Sequence, residues 1–344
     1  MDYQQENNVW VIGHKNPDTD SICAAICYAN LKNRLQDGFH YIPKRAGSIN
    51  EETKYVLQHF GVEPPEYAED AGAQVKDIAF RRTAGVSGHI SLKKAWELMK
   101  TENVMTLAVT SASDKLEGLI ITGDIAESYM DVYDNHILSR ARTQYKNIVE
   151  TLNGTLLAGN EHAYFLRGKV VVATGSRDVI EECIESDDLV IVGDRDETHI
   201  CALEENASCM VVTGGTQVSA QVLEMANRRD CVVIITPYDT FTAARLINQS
   251  MPIKYFMKKE NFVTFDIDDY VDEVREVMSK KRHRDFPVLD DQRRYLGMVS
   301  RRNLLNMHKK KLILVDHNEK SQAIDGIEGA EILEIIDHHR LGPI

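Results

Sequence analysis

An internal repeat with a constant separation of 179 residues constrains the fold of this chain more than any other feature. The matched pairs are Met99 with Met278, Leu107 with Phe286, Val109 with Val288, Gly118 with Gly297, Asp124 with Asn303 and Ile125 with Leu304. Each copy has the pattern of a helix, an apolar strand, a polar turn, a second strand and a second helix. One register through both strands and the last helix predicts two copies of the same small module.

The residues between the two copies predict a separate sheet. Four apolar runs occur there, VVVA at 170–173, LVIVG at 189–193, MVVTGG at 210–215 and CVVIITP at 231–237. Stretches with helical character, such as 217–228, separate some of these runs. Alternating strands and helices favour a compact α/β domain.

The two ends of the chain share a third pattern, an apolar strand followed by acidic residues and histidines. VWVIG at 9–13 precedes the loop HKNPDTD, and a helix is expected from Ser21, as its N-cap, to about Gln36. Near the other end, LILVD at 312–316 and EILEIID at 331–337 are the corresponding strands. Parallel strands place their following loops at one edge of a sheet, so these strands converge on one cleft if everything between them is an insertion.

The loops after these strands contain candidate metal ligands. The candidates are His14, Asp18 and Asp20 at one end of the chain, and Asp316, Asp337, His338 and His339 at the other. An isolated Asp-x-Asp or His-His is usually a solvated turn or surface pair, but here every candidate follows an apolar strand. Carboxylates with imidazoles suit Mn²⁺, Co²⁺ or Mg²⁺ better than a thiol-preferring metal. Several aspartates with two or three histidines favour two ions, because one carboxylate can bridge both.

Charge and composition exclude several classes of protein. The net charge is −13, from 40 Lys and Arg against 53 Asp and Glu, which argues against a nucleic-acid partner. No apolar run approaches the ~20 residues of a membrane span, and the first residues lack the pattern of a signal peptide. The six cysteines include no CxxC pair and are expected to be reduced thiols. We therefore expect a cytoplasmic protein that binds neither nucleic acid nor membrane and recruits cations to handle anions.

Three segments of the sequence closely resemble a known family. GHKNPDTDSICAA, LVDHNE and IIDHHR resemble the motif segments of the DHH phosphoesterase superfamily, specifically family II inorganic pyrophosphatases. The inserted region resembles two CBS modules flanking a DRTGG domain, the latter through GDRDET at 193–198 and TGG at 213–215. The resemblance implies an α/β fold in which a parallel-sheet DHH domain is split by this regulatory insertion.

The resemblance also implies a division of the chain into five segments. These are 1–66 and 309–344 for the two parts of the DHH domain, 67–126 for the first CBS module, 127–247 for the DRTGG domain and 248–308 for the second CBS module. The DRTGG domain is expected to act as a spacer and in dimer formation, without site residues of its own.

By this resemblance the candidate ligands acquire roles at two Mn²⁺ or Co²⁺ ions. His14 and Asp18 would hold one ion, Asp20 and His338 would hold the second, and Asp316 would bridge them. The implied reaction is the hydrolysis of pyrophosphate to two phosphates by a water that lies between the ions.

Two further residues are implied to act on the substrate. His339 would face a substrate phosphate, Asp337 would orient a histidine, and a substrate-borne Mg²⁺ would offset charge on the leaving phosphate. In the family, a later aspartate completes the second metal site and a C-terminal domain closes over the substrate. The sequence ends five residues after His339, so we expect this chain alone to be inactive or nearly so.

The CBS copies are implied to bind adenine nucleotides. In the second copy, Ser300 would contact phosphate and Asn303 the ribose, while Arg282 and Arg284 precede a strand at a place suited to phosphates. In the first copy, Asp124 corresponds to Asn303. Ile121 replaces the hydroxyl residue there, with Thr122 beside it as a substitute. AMP or ADP would inhibit, and ATP or diadenosine polyphosphates would activate, through a homodimer.

Three other interpretations remain open. The chain could be a non-catalytic module that binds adenine nucleotides, with a structural DHH remnant. It could also be a DHH phosphodiesterase acting on short oligonucleotides or cyclic dinucleotides, although Asn318 and the CBS insertion argue against this by resemblance. Finally, the repeats could serve only as a dimerisation scaffold.

Overall fold

The computed structural model describes residues 7–130, 134–175, 177–305 and 309–340. They form two compact units. The first unit contains the residues up to Thr83, Val263–Gln292 and those from Leu296 onward, and the second contains Ala84–Phe262 with Arg293–Tyr295. Each unit holds a parallel or mostly parallel sheet with helices, which confirms the α/β class. Within the described residues, no helix combines the length and the apolar character needed to cross a membrane.

The helices and strands are numbered in chain order. The helices are α1 Thr19–Leu35, α2 Glu51–Phe60, α3 Leu92–Thr101, α4 Thr122–Met130, α5 Ile137–Arg140, α6 Tyr145–Thr151, α7 Arg177–Cys183, α8 Asp196–Glu204, α9 Ala220–Arg228, α10 Thr240–Leu246 and α11 Val271–Lys280. The strands are β1 Asn8–Ile12, β2 His40–Arg45, β3 Glu66–Tyr67, β4 Thr106–Thr110, β5 Leu116–Ile121, β6 Thr143–Gln144, β7 Thr155–Ala158, β8 Tyr164–Phe165, β9 Val170–Val172, β10 Leu189–Val192, β11 Cys209–Val212, β12 Val232–Ile235, β13 Phe265–Asp266, β14 Asp285–Leu289, β15 Tyr295–Ser300, β16 Lys311–Val315 and β17 Glu331–Ile336.

The main sheet of the first unit joins strands from both ends of the chain. Its order is β17-β16-β1-β2-β3, and all neighbouring strands are parallel. Val9 is paired with Lys311, so β1 lies directly beside β16. Ala25 and Ala29 of α1 pack on one face of the sheet, and the other face is covered by apolar side chains that include Ile324. The convergence of the two chain ends on one sheet is therefore as predicted.

Helix α1 begins two residues earlier than its predicted cap. Asp18 is the N-cap, with extended backbone, and its Oδ1 accepts a hydrogen bond of 3.0 Å from the amide of Ser21. The prediction that Ser21 caps this helix was wrong, because Ser21 already lies in the first turn. Its hydroxyl accepts instead from the amide of His14 at 3.1 Å. Only glycine fits at Gly13 beside it, since a Cβ there would lie 1.8 Å from that hydroxyl.

In each copy of the repeat, the second strand pairs with a segment that precedes the other copy. Arg81, which precedes the first copy, exchanges backbone hydrogen bonds of 3.0 and 2.9 Å with Met298 of the second copy in the first unit. In the second unit, Lys258 precedes the second copy and exchanges bonds of 2.8 and 2.9 Å with Leu119 of the first. Leu119 and Met298 are equivalent positions of the repeat. Each compact unit therefore combines one copy with the segment that precedes the other copy. The limits of the modules along the chain, given above, stay predictions.

The sheet of the second unit has the order β7-β12-β11-β10-β9. Strands β9 to β12 are parallel, β7 is antiparallel to β12, and β9 to β12 correspond to the four apolar runs noted above. Val190, Met210 and Val222 represent the core on one face, between the sheet and α9.

Candidate metal centre

The candidate ligands lie where three neighbouring parallel strands end. His14 follows β1, Asp316 directly follows β16, and Asp337 directly follows β17. Asp18 and Asp20 lie at the start of α1, the helix that leaves β1. The loops at the carboxyl edge of the sheet thus bring together residues from both ends of the chain, where ligands bind in parallel α/β sheets.

Two ligand clusters share one aspartate. Potential ligand atoms of His14, Asp18 and Asp316 all lie within 4.8 Å of one another. The same holds for those of Asp316, Asp337, His338 and His339. His14 Nε2 is 3.4 Å from Asp316 Oδ2, whereas the Nδ1 atoms of His338 and His339 are each 3.7 Å from Asp316 Oδ1. The two carboxylate oxygens of Asp316 therefore face different histidines.

Asp316 is held in an unfavourable environment. It is 5% exposed, and its φ of 61° places a non-glycine residue in the left-handed region. Its Oδ2 is buried and has no hydrogen-bond partner among the residues that the structure describes. Burial, with the nearby Asp18 and Asp20, raises the pKa of its carboxyl.

These features of Asp316 fit a bound cation. An unsatisfied buried oxygen costs about 1–3 kcal/mol and the backbone strain another ~1–2 kcal/mol. A divalent cation would satisfy the orphaned oxygen and reverse the effect of the neighbouring carboxylates. Oxygen and imidazole donors are the set expected for Mn²⁺ or Co²⁺.

Asp20 lies beside the clusters. It is not part of either cluster, but it lines a cleft of about 380 Å³ together with Asp316, Asp337 and His338. A second cleft, of about 520 Å³, is lined by His339 with two cations, Lys15 and Arg340, among other residues. Asp316 and Asp337 border both clefts.

Asn318 is a site residue whose orienting role sequence reasoning missed. Its Nδ2 donates to Asp337 Oδ2 and, at 3.2 Å, to the carbonyl of Arg340. Asp337 Oδ1 in turn lies 2.7 Å from His339 Nδ1 and accepts from the His339 amide at 3.1 Å. Asp337 raises the pKa of His339. Burial acts to raise the pKa of Asp337, but the bonds from His339 and Asn318 outweigh it and lower that pKa.

His317 is a buried neighbour of the candidate centre. It is 1% exposed, its Nδ1 lies 2.9 Å from the Val315 carbonyl, and its Nε2 has no partner within the described part of the chain. Burial lowers the pKa of the imidazole. Its ring meets that of His14 edge-on at 6.4 Å, so it packs against one of the candidate ligands.

The predicted nucleotide residues of the second copy lie in the first unit. Ser300 donates to Asn303 Oδ1 from its amide at 2.8 Å and from its hydroxyl at 2.7 Å, and Asn303 Nδ2 donates to the Ala79 carbonyl at 2.7 Å. Arg282 and Arg284 are exposed. The segment that contains them is tied to Arg301, which donates to the His283 carbonyl at 2.8 Å.

The equivalent residues of the first copy lie in the second unit. Asp124 is 7% exposed and accepts from the Ile121 amide at 2.9 Å, which is the bond that Asn303 accepts from Ser300 in the other copy. Asp124 Oδ1 also lies 3.3 Å from Lys258 Nζ. Thr122 begins α4 and donates its amide to the Met105 carbonyl at 3.1 Å. The two copies thus share this turn, but the first copy has the acidic Asp124 where the second has the uncharged Asn303.

Comparisons with known proteins place the chain in a family. A model described as the DRTGG domain matches residues 147–250, and one described as the CBS domain matches residues 253–309. A cobalt-dependent inorganic pyrophosphatase of Clostridium perfringens is 41% identical over 98% of this chain and 61% of its own length. A probable manganese-dependent inorganic pyrophosphatase of Thermotoga maritima is 37% identical over 97% of this chain and 61% of its own length. The chain thus spans about three fifths of the length of these curated relatives.

A solved structure matches the inserted region. The CBS and DRTGG domains of the regulatory region of Clostridium perfringens pyrophosphatase, complexed with the activator diadenosine tetraphosphate, are 36% identical with a TM-score of 0.64. This match covers 67% of the present chain and the whole of that one. The chain therefore belongs to the family of inorganic pyrophosphatases that carry a CBS and DRTGG regulatory region.

Proposed function

We propose that this chain provides the metal-binding strand ends and the regulatory region of a manganese- or cobalt-dependent inorganic pyrophosphatase. The observation that carries the proposal is the buried carboxylate of Asp316: its Oδ2 faces His14 and accepts no hydrogen bond from the described residues, and its Oδ1 faces His338 and His339. A hydrolase of pyrophosphate needs such a centre because its substrate carries several negative charges that an acidic protein does not offset by itself.

Two ions fit the ligand arrangement better than one. His14 and Asp18 would hold the first ion, Asp20 and His338 the second, and Asp316 would contribute one oxygen to each. When bound, the pair would lower the pKa of a water between them and neutralise charge on the phosphate.

The remaining residues would bind and orient the substrate. His339, held by Asp337, would contact a phosphate oxygen, and Asn318 would keep Asp337 in place. Lys15 and Arg340 line the same cleft as His339 and would attract the anion. A Mg²⁺ that arrives with pyrophosphate would offset the charge of the leaving phosphate.

We further propose that adenine nucleotides regulate the protein through the CBS copies and that it acts as a homodimer. Support comes from the turn shared by Ser300–Asn303 and Ile121–Asp124, and from a regulatory region that is similar over its whole length to one that binds diadenosine tetraphosphate. AMP and ADP would inhibit and ATP or diadenosine polyphosphates would activate. Sedimentation with and without nucleotide would measure the oligomeric state.

Metal binding and phosphate release test the proposed function. We expect the chain to bind Co²⁺, and Asp316→Asn to weaken this binding by at least about tenfold. With Mn²⁺ or Co²⁺, the sequence extended to the length of the curated relatives should release phosphate from pyrophosphate, and the 344-residue chain should release little. An extended protein that binds metal but hydrolyses no pyrophosphate would contradict the proposal.

Nucleotide binding without hydrolysis is the second candidate function. It is favoured by the match to a regulatory region over the whole length of that structure. Calorimetry with AMP and diadenosine tetraphosphate, run beside the Co²⁺ titration, separates the two. Tight nucleotide binding combined with no metal binding would support the second candidate over the first.

A further inference from the structure

Helix α1 is fastened to the edge strand β17 by a polar clamp formed by Tyr28, Lys32 and Glu334. The hydroxyl of Tyr28 donates to Glu334 Oε2 at 2.5 Å, and Lys32 Nζ donates to Glu334 Oε1 at 2.8 Å. Both carboxylate oxygens of Glu334 are therefore bonded to one helix. These contacts join residues more than 300 positions apart in the sequence.

Lys32 of the clamp makes further contacts with Asp37 and Tyr41. Lys32 Nζ lies 3.7 Å from Asp37 Oδ2 and 5.0 Å from the centre of the Tyr41 ring. The hydroxyl of Tyr41 donates to the same Asp37 oxygen at 2.7 Å. The side chain of Lys32 is 14% exposed and that of Glu334 is 36% exposed, so the pair is partly shielded from solvent. The clamp therefore fixes the position of α1 relative to β17.

The clamp spans the same cleft as two candidate ligands. Asp20 in the first turn of α1 and His338 just after β17 both line the cleft of about 380 Å³, and Tyr28 lines it as well. The width of this cleft depends on the spacing between α1 and β17. The other cluster depends less on that spacing, because two of its three members, His14 and Asp316, follow strands β1 and β16, which are hydrogen-bonded to each other.

We infer that Glu334 is a positioning residue that sets the distance between Asp20 and His338 and thereby the affinity of the second metal ion. This inference rests on the proposed function, since it assumes that Asp20 and His338 share an ion. Metal sites require ligands held to within a fraction of an ångström, and residues that orient ligands commonly change metal affinity by about 10–100-fold. Glu334 is not among the residues that line the cleft, so it would act through these two ligands.

Calorimetric titration of the 344-residue chain with Mn²⁺ tests the inference. The unsubstituted chain should show a tighter and a weaker class of site, and His338→Ala should identify the weaker one by abolishing it. Glu334→Gln should weaken that class by about tenfold and leave the tighter class within about twofold. Glu66→Gln is the matched control, because Glu66 pairs with Lys44 at the opposite edge of the same sheet. It should change neither class.

A milder variant separates positioning from loss of folding. Tyr28→Phe removes one of the two clamp bonds without changing the ring, so it should weaken the same class by a smaller factor. Equal weakening of both classes in Glu334→Gln, or no weakening of either, would overturn the role of the clamp. A single class that is insensitive to Glu334→Gln would overturn it as well. Absence of Mn²⁺ binding to the unsubstituted chain would instead overturn the proposed function, and the inference with it.

Discussion

Asp316 Oδ2 lies 3.4 Å from His14 Nε2, although the two residues are 302 positions apart in the sequence. They meet because β1 and β16 are neighbouring parallel strands that end at the same edge of one sheet. The whole regulatory region is inserted between them. A shift of either strand would therefore move one part of the candidate metal centre relative to the other.

Asp337 should matter for phosphate binding through His339 and not as a surface charge. Asp337→Asn keeps the shape of the side chain but removes the charge that holds the imidazole at 2.7 Å. We expect the affinity for inorganic phosphate in the presence of Mn²⁺ to fall by about tenfold, measured by calorimetry, because a hydrogen bond to a charged group no longer holds the imidazole. Asp291→Asn, an exposed aspartate in the same unit, is the control and should have no effect. Similar effects of both substitutions would contradict the orienting role.

Lys310 should stabilise the first unit. Its Nζ donates to the Gly72 carbonyl at 2.8 Å, lies 3.7 Å from Asp77 Oδ2 and stands 5.0 Å from the Trp10 ring. Burial lowers the pKa of this ammonium group, and Asp77 opposes the shift. Lys310→Ala should lower the free energy of unfolding by about 1–3 kcal/mol in urea denaturation, because it removes the hydrogen bond to the Gly72 carbonyl and the ion pair with Asp77.

The control for Lys310 is an exposed lysine. Lys54 pairs with Glu51 on the surface of α2, and Lys54→Ala should change the free energy of unfolding by less than about 0.5 kcal/mol. If the two alanine variants were equally stable, the buried contacts of Lys310 would contribute nothing measurable.

Gly297 should be intolerant of any side chain. Its φ is +154°, and a Cβ would lie 2.2 Å from the carbonyl oxygen of Arg81, in the exchanged pairing between the copies. Gly297→Ala should lower the free energy of unfolding by about 3 kcal/mol, from the clash and the backbone strain together. Gly193→Ala, where a Cβ meets nothing within 4 Å, should be close to neutral. A stable Gly297→Ala variant would show that the Arg81 segment is not held there.

The clamp predicts a particular dependence of stability on pH. The bonds from Lys32 and then Tyr28 lower the pKa of Glu334 in the folded protein. A lowered carboxyl pKa contributes stability above its unfolded value of about 4.3, and this contribution is lost as the pH falls through the folded value. Lys32 has a raised pKa, chiefly from Glu334, so its contribution is full below its ordinary value and disappears only in strong alkali.

The measurement is urea denaturation of the chain and of Glu334→Gln between pH 3 and pH 8. The difference in the free energy of unfolding should be constant from about pH 6 to pH 8 and should shrink below about pH 4.3. A difference that stays the same down to pH 3 would mean that the charge on Glu334 does not stabilise the fold.

Some features were predictable because they depend on local pattern. The strand-and-loop pattern before His14 and before Asp316 was sufficient to predict that the ends of the chain share a sheet. The constant separation of the repeat placed Asp124 and Asn303 in corresponding turns, where each accepts a backbone amide three residues earlier.

Other features depend on contacts that leave no pattern in the sequence. Asp18 caps the helix and Ser21 does not, because the Ser21 hydroxyl accepts a hydrogen bond from the His14 amide. This bond exists only in the folded loop and leaves no pattern in the sequence. The pairing of each copy with the segment that precedes the other copy was not predictable, since nothing in the sequence around Arg81 indicates that its partner is Met298. Glu334 likewise appears in the sequence as an ordinary strand-edge carboxylate.

The most direct test of the metal centre is anomalous diffraction from crystals of the chain grown with Co²⁺ or Mn²⁺. We expect one ion ligated by His14, Asp18 and Asp316, and a second on the other Asp316 oxygen beside Asp20 and His338. Strong anomalous peaks that all lie beyond about 2.6 Å from any Asp316 oxygen would contradict this expectation.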